Sequence, residues 1–548
     1  MLRHVIIFNA LSVILVASII IVEPGPKYPP TKGEVWPKPQ QQIKRDTYYK
    51  LRPLAFNFTV SGETCHILKS AINRYYNVIR GLHRIAWNHI KKHLKHTPKH
   101  TNVTDVNFQG SIKELQIKIR SPCEEHPQMD MDEVYNLNVS AVSTLSSDSI
   151  WGALRGMETF VQLLYLSDDY KAVFINATDI VDYPRYPHRG LLIDTSRHYI
   201  SVSNILKTLD AMEMNKMNVL HWHIVDDQSF PYQSEKFPQL SAQGAYTPSM
   251  IYTKNNINHI VNYARDRGIR VLPEFDVPGH TRSWGVAYPK ILTKCYQLDE
   301  LIGLGPMDPS KNITYKLIGE LFQEIQQLFP EKYFHVGGDE VELSCWESNP
   351  EILMFMRDNN MTKTSDLHAY FMNKIIPLLG ENSKPIVWQE VFDEGVPLRD
   401  AIVQVWKSED YNTLVQILKA GHKLIYSASW YLDHLQSGGD WIDYYKVDPR
   451  QMIPSFHAKV NLDDIVGGEA CMWGEVVDDR NIQSRVWPRT SAVAEKLWSP
   501  ELQHHRYGYY SYNPPQDVFH RLEEHSCRMN RRGVYAQPPN GPGFCVTE

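Results

Sequence analysis

From about residue 186 onward, short apolar runs alternate with segments in which apolar residues recur at the spacing of a helix face. Ile257, Ile260, Val261 and Ala264 show this spacing, and Gly268 follows them before the next apolar run. The alternation is typical of βα units and predicts a parallel sheet, with glycine ending the helices. Eight apolar runs occur, at residues 190–194, 219–225, 270–275, 333–336, 385–389, 402–406, 423–427 and 465–473.

Eight βα units predict a closed (β/α)8 barrel of the TIM type, an α/β fold whose active site forms at the carboxyl ends of the strands. We expect the barrel, with a C-terminal tail, to occupy residues 186–548. Residues 46–185 have a different pattern, in which β-rich runs such as 115–119 and 172–175 alternate with helical stretches near 65–95 and 148–165. This pattern predicts a smaller α/β domain in front of the barrel.

The amino-terminal segment differs in composition from the rest of the chain. Arg3 precedes an apolar stretch at residues 5–22, and residues 23–45 are rich in Pro, Lys and Gln. The first feature predicts a secretory signal at residues 1–22, and the second predicts an extended lead-in without catalytic residues. Because the apolar stretch is close to the minimum length of a membrane span, a cleaved signal peptide and an uncleaved membrane anchor both remain open.

Charge and composition narrow the class of partner. The formal net charge is -5 and no long run of one sign occurs, so nothing favours nucleic acid or an acidic membrane as a partner. Hydrophobic residues make up 43% and charged residues 22% of the chain, which is typical of a globular protein with an ample core. A neutral or mildly polar substrate is therefore expected.

Seven cysteines in a chain with a secretory signal predict three disulfides and one free thiol. Pairing neighbours along the chain predicts the bridges Cys65–Cys123, Cys295–Cys345 and Cys527–Cys545. Cys471 remains, and its apolar surroundings favour a buried, inert thiol over a nucleophile. Six Asn-x-Ser/Thr sequons agree with a glycosylating compartment, at Asn57, Asn102, Asn138, Asn176, Asn312 and Asn360.

The residues at the predicted strand ends are rich in carboxylates and tryptophan. Flat aromatic walls suit the apolar faces of sugar rings, and carboxylates accept hydrogen bonds from sugar hydroxyls. A phosphate substrate would instead favour a glycine-rich loop with basic residues. The strand-end segments are 194–197, 221–227, 274–280, 335–340, 388–390, 406, 430–433 and 473–475.

Several sequence motifs resemble those of glycoside hydrolase family 20, and among its members the animal lysosomal-type β-hexosaminidases. The resemblance covers most of the chain, and residues 46–185 resemble the non-catalytic domain that precedes the barrel in this family. The motifs follow in family order: HRGLLIDTSRHY from His188, LHWHIVDDQSFP from Leu220, EFDVPGH from Glu274, HVGGDEV from His335, VWQEVFD from Val387, WYLD from Trp430 and GEACMWGE from Gly468.

This resemblance implies exo-hydrolysis of terminal β-linked N-acetylhexosamines by a retaining, substrate-assisted mechanism that needs no cofactor or metal. It implies that Glu340 is the general acid and later the general base, and that Asp339 orients the substrate's acetamide. Neighbouring residues on a regular strand point to opposite faces, so both carboxylates reach one sugar only if the chain leaves strand geometry there. Gly337 and Gly338 permit that departure.

The resemblance also implies a set of substrate-binding residues. Arg197 and Glu475 are expected to hold sugar hydroxyls, and Tyr431 to donate to the acetamide carbonyl. Three tryptophans are expected to wall the acetamide pocket, although core packing is an equally good explanation for each of them taken alone. The complete set is Arg197, Asp226, His280, Trp388, Trp406, Tyr431, Asp433, Trp473 and Glu475.

Asp433 and His434 bear on substrate charge. Asp433 resembles the β-type subunits of the family, which favour neutral substrates. His434 differs from both subunit types, which have a cation or an apolar residue at this position. Our hypothesis is that His434, protonated in acid, gives modest tolerance of sulfated or otherwise anionic sugars.

Two alternatives remain open at this stage. His221 and His223 point to the same side of a strand and precede Asp226 and Asp227, which would also suit a metal-dependent barrel hydrolase. A catalytically inactive carbohydrate-binding protein would need the same aromatic walls without the acid. The resemblance further implies a homodimer that reaches the lysosome or is secreted, whereas the natural substrate, whether glycoprotein, glycolipid or chitin oligomer, stays open.

Overall fold

The computed structural model describes residues 25–93, 105–407, 409–434, 439–454, 459–501 and 513–545, without side chains for 89–93. The predicted signal at residues 1–22 and the sequon at Asn102 lie outside these ranges. Within the described ranges, every helix is too short or too polar to cross a lipid bilayer.

The first domain is an eight-stranded mixed sheet covered by two helices. The helices His66–His93 and Ile150–Gln162 confirm the two predicted helical stretches, and the Ser149 side chain caps the second by accepting from the Gly152 N–H. The strands are β1 (Gln41–Leu51), β2 (Asn57–Gly62), β3 (Phe108–Ile112), β4 (Glu114–Ile119), β5 (Tyr135–Val139), β6 (Ser143–Ser147), β7 (Tyr165–Leu166) and β8 (Val173–Asp182). Their order is β2-β4-β6-β5-β8-β1-β3, with β7 paired to β8.

The second domain is a closed barrel of eight parallel strands, as the sequence predicts. Seven of the strands end one or two residues before the predicted apolar runs do. The extra apolar residues, such as Val225, Phe275 and Val336, are fully buried in the first positions of the loops above the barrel. The strands, in order around the barrel, are β9 (His188–Asp194), β10 (Val219–His223), β11 (Arg270–Glu274), β14 (Tyr333–His335), β15 (Lys384–Trp388), β16 (Ile402–Val405), β17 (Lys423–Tyr426) and β18 (Ile465–Met472).

Helices surround this barrel and bury their apolar stripes against the strands, as Ile257, Ile260, Val261 and Ala264 do. The longer ones are Val202–Met214, Lys254–Arg265, Asn312–Leu328, Pro350–Asp358, Thr364–Ile375, Tyr411–Lys419, Arg489–Trp498 and Gln516–Arg531. The shorter ones are Gln239–Gly244, Arg282–Ala287, Leu343–Ser348, Gln389–Asp393, Trp441–Lys446 and Ile482–Val486.

An antiparallel hairpin interrupts the βα pattern between β11 and β14. It consists of β12 (Leu292–Gln297) and β13 (Glu300–Met307), and the sequence pattern did not predict it. The Cys295–Cys345 disulfide ties this hairpin to the helix Leu343–Ser348. All three predicted disulfides are present, and Cys471 is free and buried as expected.

Five of the predicted glycosylation sequons lie in described residues. Asn57, Asn312 and Asn360 are exposed. Asn138 and Asn176 are half-buried in β5 and β8, and their side-chain amides already donate hydrogen bonds to neighbouring groups. The exposed sites are therefore the more accessible candidates for modification.

The two ends of the described chain pack against each other. Glu524, in the helix Gln516–Arg531, accepts hydrogen bonds from the Thr31 hydroxyl and from the backbone N–H groups of Gly33 and Glu34. Trp36 is fully buried beside this helix, and its indole N–H donates to the Ser491 carbonyl. The lead-in is thus anchored by the C-terminal helix before it enters β1.

Candidate active site

The two predicted catalytic carboxylates lie on a tight turn directly after β14. Gly337, Gly338 and Glu340 have φ angles of 71°, 96° and 46°, which are outside strand geometry. A Cβ atom on Gly337 would lie 1.6 Å from the Asp276 Oδ1 atom, so only glycine fits there. The predicted departure from strand geometry is confirmed. It leaves the Asp339 side chain only 9% exposed and the Glu340 side chain 57% exposed.

A histidine links the turn to a buried aspartate. The His280 Nε2 atom lies 3.6 Å from Glu340 Oε2 and 3.7 Å from Asp339 Oδ2, and its Nδ1 atom lies 3.3 Å from Asp226 Oδ1. Burial alone would lower the pKa of His280, but the hydrogen bond to Asp226 and the surrounding carboxylates raise it well above its usual range. A cationic imidazolium therefore faces both predicted catalytic carboxylates.

Asp339 shares its surroundings with a second carboxyl group, Asp276. Asp276 accepts a hydrogen bond of 2.9 Å from the Gly338 N–H. Burial raises the pKa of Asp276 well above its usual range, and the charge of Asp339 raises it further. Burial also raises the pKa of Asp339, to about 6, with Glu390 adding to the rise and His280 opposing it. Two neighbouring carboxyl groups share one proton more readily than they both ionise.

An arginine clamp forms one wall of the site. The Arg197 guanidinium lies 3.0 Å from Asp194, 3.0 Å from Asp226 and 3.3 Å from Glu475. Its carbon also lies 5.0 Å from the centre of the Trp473 ring. Because Glu475 is 55% exposed, this corner presents charged hydrogen-bonding groups to a ligand entering from solvent.

Four aromatic side chains pack into one cluster at the same end of the barrel. Trp406 stacks on Tyr431 with ring centres 6.0 Å apart, and Trp388 lies 6.0 Å from Trp473 and 6.5 Å from Trp406. Trp388 is 1% exposed and Trp473 9% exposed, whereas Trp406 and Tyr431 are half-buried. The Trp406 indole N–H donates to Glu390 at 2.9 Å. The predicted tryptophans therefore share one wall and are not separate parts of the core.

Below these aromatic side chains, histidines and carboxylates form a charged network inside the barrel. Glu274 accepts from the Trp388 indole N–H at 2.8 Å and lies 2.7 Å from His223 Nδ1 and 2.9 Å from His221 Nε2. Burial alone would raise the pKa of Glu274, but the neighbouring histidines hold it well below its usual range. Although burial opposes it, Glu469 and Glu274 raise the pKa of His221 to about 9. The network fixes the orientation of Trp388.

Asp433 and His434 lie at the rim. Asp433 is half-buried and burial raises its pKa, with the Arg197 charge among the influences that oppose the rise. The His434 side chain is 72% exposed, and its Nε2 atom lies 3.8 Å from Asp433 Oδ2. His434 therefore lies beside a predicted substrate-binding residue, and its effect on anionic sugars stays a prediction.

Three groups of histidines and carboxylates in the described part of the chain have possible metal-ligand atoms within 4.8 Å of one another. In each group, these atoms belong to the histidine–carboxylate contacts described above or to side chains next to those contacts. Those contacts account for the proximity of His221 and His223 to acidic groups. The groups are His221, Glu274 and His335; Asp226, Asp227 and His280; and Asp276, His280 and Asp339.

The structure brings all eleven predicted catalytic and substrate-binding residues to one end of the barrel. It adds four that the sequence analysis did not single out: Asp194, Glu274, Asp276 and Glu390. All four lie in strand-end segments that the pattern had marked. Their roles depend on which neighbour each carboxylate meets in space, and that information is not contained in their spacing along the chain.

Comparison with known proteins agrees with this geometry. The family model "Glycosyl hydrolase family 20, catalytic domain" matches residues 186–501, and "beta-acetyl hexosaminidase like" matches residues 35–163. The chain is 43% identical to the β-hexosaminidase subunit beta of Mus musculus, over 98% of this chain and 97% of that one. It is 42% identical to the subunit beta of Homo sapiens, over 97% of this chain and 92% of that one.

A solved structure gives a similar result. The chitobiase of Flavobacterium johnsoniae superimposes with a TM-score of 0.75 at 31% identity, covering 91% of this chain and 73% of that one. An exo-β-N-acetylglucosaminidase from Vibrio harveyi superimposes with a TM-score of 0.72 at 21% identity, covering 95% and 81% of the two chains. The second likeness supports the fold.

Proposed function

Because the chain belongs to glycosyl hydrolase family 20 and is an exo-acting β-N-acetylhexosaminidase, we propose that Glu340 and Asp339 are its catalytic pair. The observation that carries this proposal is the turn at Gly337 and Gly338. It gives an exposed and a buried carboxylate at adjacent positions, both of them beside His280, and the charge of Asp339 acts on Tyr431 in the aromatic cluster.

We propose a retaining, substrate-assisted reaction in two steps. Glu340 first gives its proton to the glycosidic oxygen, while the acetamide oxygen of the substrate attacks the anomeric carbon and the leaving group departs. An oxazolinium ring closes in this step. Glu340 then takes a proton from water, which attacks the anomeric carbon and reopens the ring. Configuration is retained because the carbon is inverted twice.

Asp339 serves the intermediate in this scheme. Its carboxylate accepts from the acetamide N–H and faces the positive charge that develops on the ring. In the free enzyme burial raises the pKa of Asp339 to about 6, and a nearby positive charge favours the ionised form. Charge development on the substrate therefore strengthens this contact in the transition state.

The remaining site residues position the sugar. Trp388, Trp406 and Trp473 surround the acetamide methyl group, and Tyr431 donates its hydroxyl to the acetamide oxygen. Arg197 and Glu475 form hydrogen bonds with ring hydroxyls. His280, supported by Asp226, holds Glu340 in place and responds to its change of charge between the two steps.

The substrates that fit are terminal N-acetylglucosamine and N-acetylgalactosamine, β-linked to glycans, glycolipids or chitin oligomers. We propose that the chain acts as a homodimer in the lysosome or outside the cell. The three disulfides support an oxidising compartment, and the relatives that it resembles are described as subunits.

The direct test compares Glu340→Gln with Glu342→Gln, an exposed glutamate two residues away. For an aryl N-acetylglucosaminide with a poor leaving group, we expect Glu340→Gln to lower kcat by about 10² to 10⁴. With a leaving group that needs no protonation, the loss in the first step should be much smaller. Equal losses for both leaving groups, or for both variants, would contradict the role of Glu340 as acid.

A further inference from the structure

A cavity of about 410 Å³ lies between the helix His66–His93, the helix Val202–Met214 and the end of the helix Gln516–Arg531. Asp210 and Glu213 in its wall precede β10, and Arg267 precedes β11. These positions are at the amino ends of the barrel strands, whereas Glu340 follows the carboxyl end of β14. The cavity is therefore separate from the hydrolytic site.

The wall of this cavity is strongly basic. Six arginines line it, against two carboxylates, Asp210 and Glu213. Four of these arginines have a carboxylate partner within 3.2 Å and so contribute to the packing of the domains. The pairs are Arg74–Glu213, Arg267–Asp210, Arg532–Glu158 and Arg528–Glu524.

Arg531 and Arg84 differ from the other four. Within the part of the chain that the structure describes, neither guanidinium has an ion-pair or hydrogen-bond partner. Arg84 is exposed, whereas Arg531 is half-buried and also lines an adjoining cavity of about 130 Å³. Burial lowers the pKa of Arg531.

The acid that acts most on Arg531 has its own partners. Glu524 already accepts hydrogen bonds from Thr31 and from the Gly33 N–H, and it forms an ion pair with Arg528. A cation that is partly removed from water without a partner of its own costs stability. The surroundings of Arg531 are therefore suited to an anion that is not part of this network.

Much of the remaining wall is apolar, with Val78, Leu82, Ile85, Val161 and Leu164, although Asn77 and two tyrosines also line it. Leu82, Leu164 and Arg531 line both cavities, so the two volumes meet at the Arg531 side chain. Their combined size lies within the range of small-molecule binding sites. A fully polar anion would leave this apolar surface in contact with water.

We propose that this cavity is a second binding site, which holds a small amphipathic anion. The anionic group, a phosphate, sulfate or carboxylate, pairs with Arg531, and Arg84 meets it at the entrance. An alkyl or aryl body fills the apolar part between the helices His66–His93 and Ile150–Gln162. The ligand connects the first domain, the barrel and the C-terminal helix.

Titration calorimetry with n-octyl phosphate below its micellar concentration tests the proposal. We expect one molecule to bind per chain, inorganic phosphate to bind at least about tenfold more weakly, and octanol to bind weakly as well. N-acetylglucosamine should not displace the probe. Displacement by the sugar, or equal binding of inorganic phosphate, would overturn the proposal.

Arg531→Met and Arg399→Met form the matched pair of variants, since Arg399 is exposed and distant from the cavity. Arg531→Met should weaken octyl phosphate binding by about tenfold or more and should raise the Tm of the unliganded protein, because the cation without a partner is gone. Arg399→Met should change neither quantity. Hydrolysis of a chromogenic substrate should be unchanged in both.

Further variants test the proposal even if Arg531→Met does not fold. Arg84→Met alters an exposed side chain and should weaken binding by a smaller factor, about threefold. Arg531→Lys keeps the charge and should retain most of the affinity. A variant that ends at Cys545 should bind octyl phosphate as the full chain does. Unchanged affinity in both Arg531→Met and Arg84→Met, or binding only after that shortening, would overturn the proposal.

Discussion

Glu274 and Asp276 are two positions apart in the chain and both are buried. Their surroundings nevertheless shift their pKa values in opposite directions. Glu274 points into the barrel interior, where His335, His223 and His221 outweigh the effect of burial and hold its pKa well below the usual range. Asp276 points toward the mouth, where burial and Asp339 raise its pKa well above that range. Burial alone therefore does not determine the charge of a carboxyl group in this barrel.

This difference in pKa distinguishes the interior network, which supports the site structurally, from the carboxyl groups at the mouth, which we propose take part in the reaction. The interior network consists of opposite charges that compensate one another and orient Trp388 from below. The mouth brings like groups together, and this arrangement costs stability but suits the proposed role of these carboxyl groups in proton transfer and charge stabilisation. Each variant below tests one side of this contrast.

The largest effect on stability is expected for Glu274→Gln. Without the carboxylate, the charges of His221 and His223 lose a buried partner, so the free energy of unfolding should fall by about 3 to 5 kcal/mol. Glu351→Gln, at an exposed ion pair with Lys311, is the control and should cost less than about 1 kcal/mol. Urea unfolding at pH 7 measures both. Equal losses would remove the distinction between interior and surface.

Asp339→Asn should have the opposite sign. Since the folded-state pKa of Asp339 is raised from 3.8 to about 6, its contribution to wild-type stability is fully present below the lower value and is lost as pH rises through the higher one. The asparagine variant lacks this fall and should gain up to about 3 kcal/mol over wild type at pH 7, relative to their difference at pH 3.

Unfolding curves at both pH values measure this gain, and activity should be largely lost because the acetamide has no charged partner. Parallel pH profiles for wild type and Asp339→Asn would show that this carboxylate is not strained.

Asp276→Asn should change stability little. If Asp276 is held neutral, an amide of the same shape preserves the packing and can still accept from the Gly338 N–H, so a change below about 1 kcal/mol is expected. The same amide substitution at Glu274 provides the comparison. A loss as large as that of Glu274→Gln would mean that Asp276 is an anion and that the contrast is wrong.

The smallest effect is expected at the rim. The His434 side chain is 72% exposed, so its charge in acid is screened by water and should change rates by less than about fivefold. His434→Leu should lower the ratio of sulfated to neutral aryl substrate hydrolysis at acidic pH and leave it unchanged at pH 8. A ratio that does not respond at either pH would end the hypothesis of anion tolerance.

The sequence predicted the architecture of the molecule well. Eight apolar runs became eight parallel strands, and the catalytic turn bends where Gly337 and Gly338 permit it. Both results follow from local rules of burial and backbone freedom. The hairpin formed by β12 and β13 was missed because its strands are partly exposed and, although β13 is largely apolar, its burial lacks the alternation of a core strand.

The protonation states of the buried carboxyl groups could not be predicted from the sequence. Asp276 and Glu274 occur in one short motif, and nothing in it says that one meets Asp339 and the other two histidines. The loops after β11 and β14 bring Asp276 and Asp339 together, although more than 60 residues separate them in the chain. Similarly, the arginines of the second cavity come from helices that are distant in sequence, so no local pattern marked them.

The contact between Glu524 and the backbone of Gly33 has a consequence for synthesis on the ribosome. These partners are 491 positions apart, so at ordinary elongation rates the beginning of the chain waits about 25 to 100 s for the helix that covers it. Throughout that interval Trp36 has no finished surface to pack against. The Trp36 side chain therefore stays without its C-terminal helix until translation is almost complete.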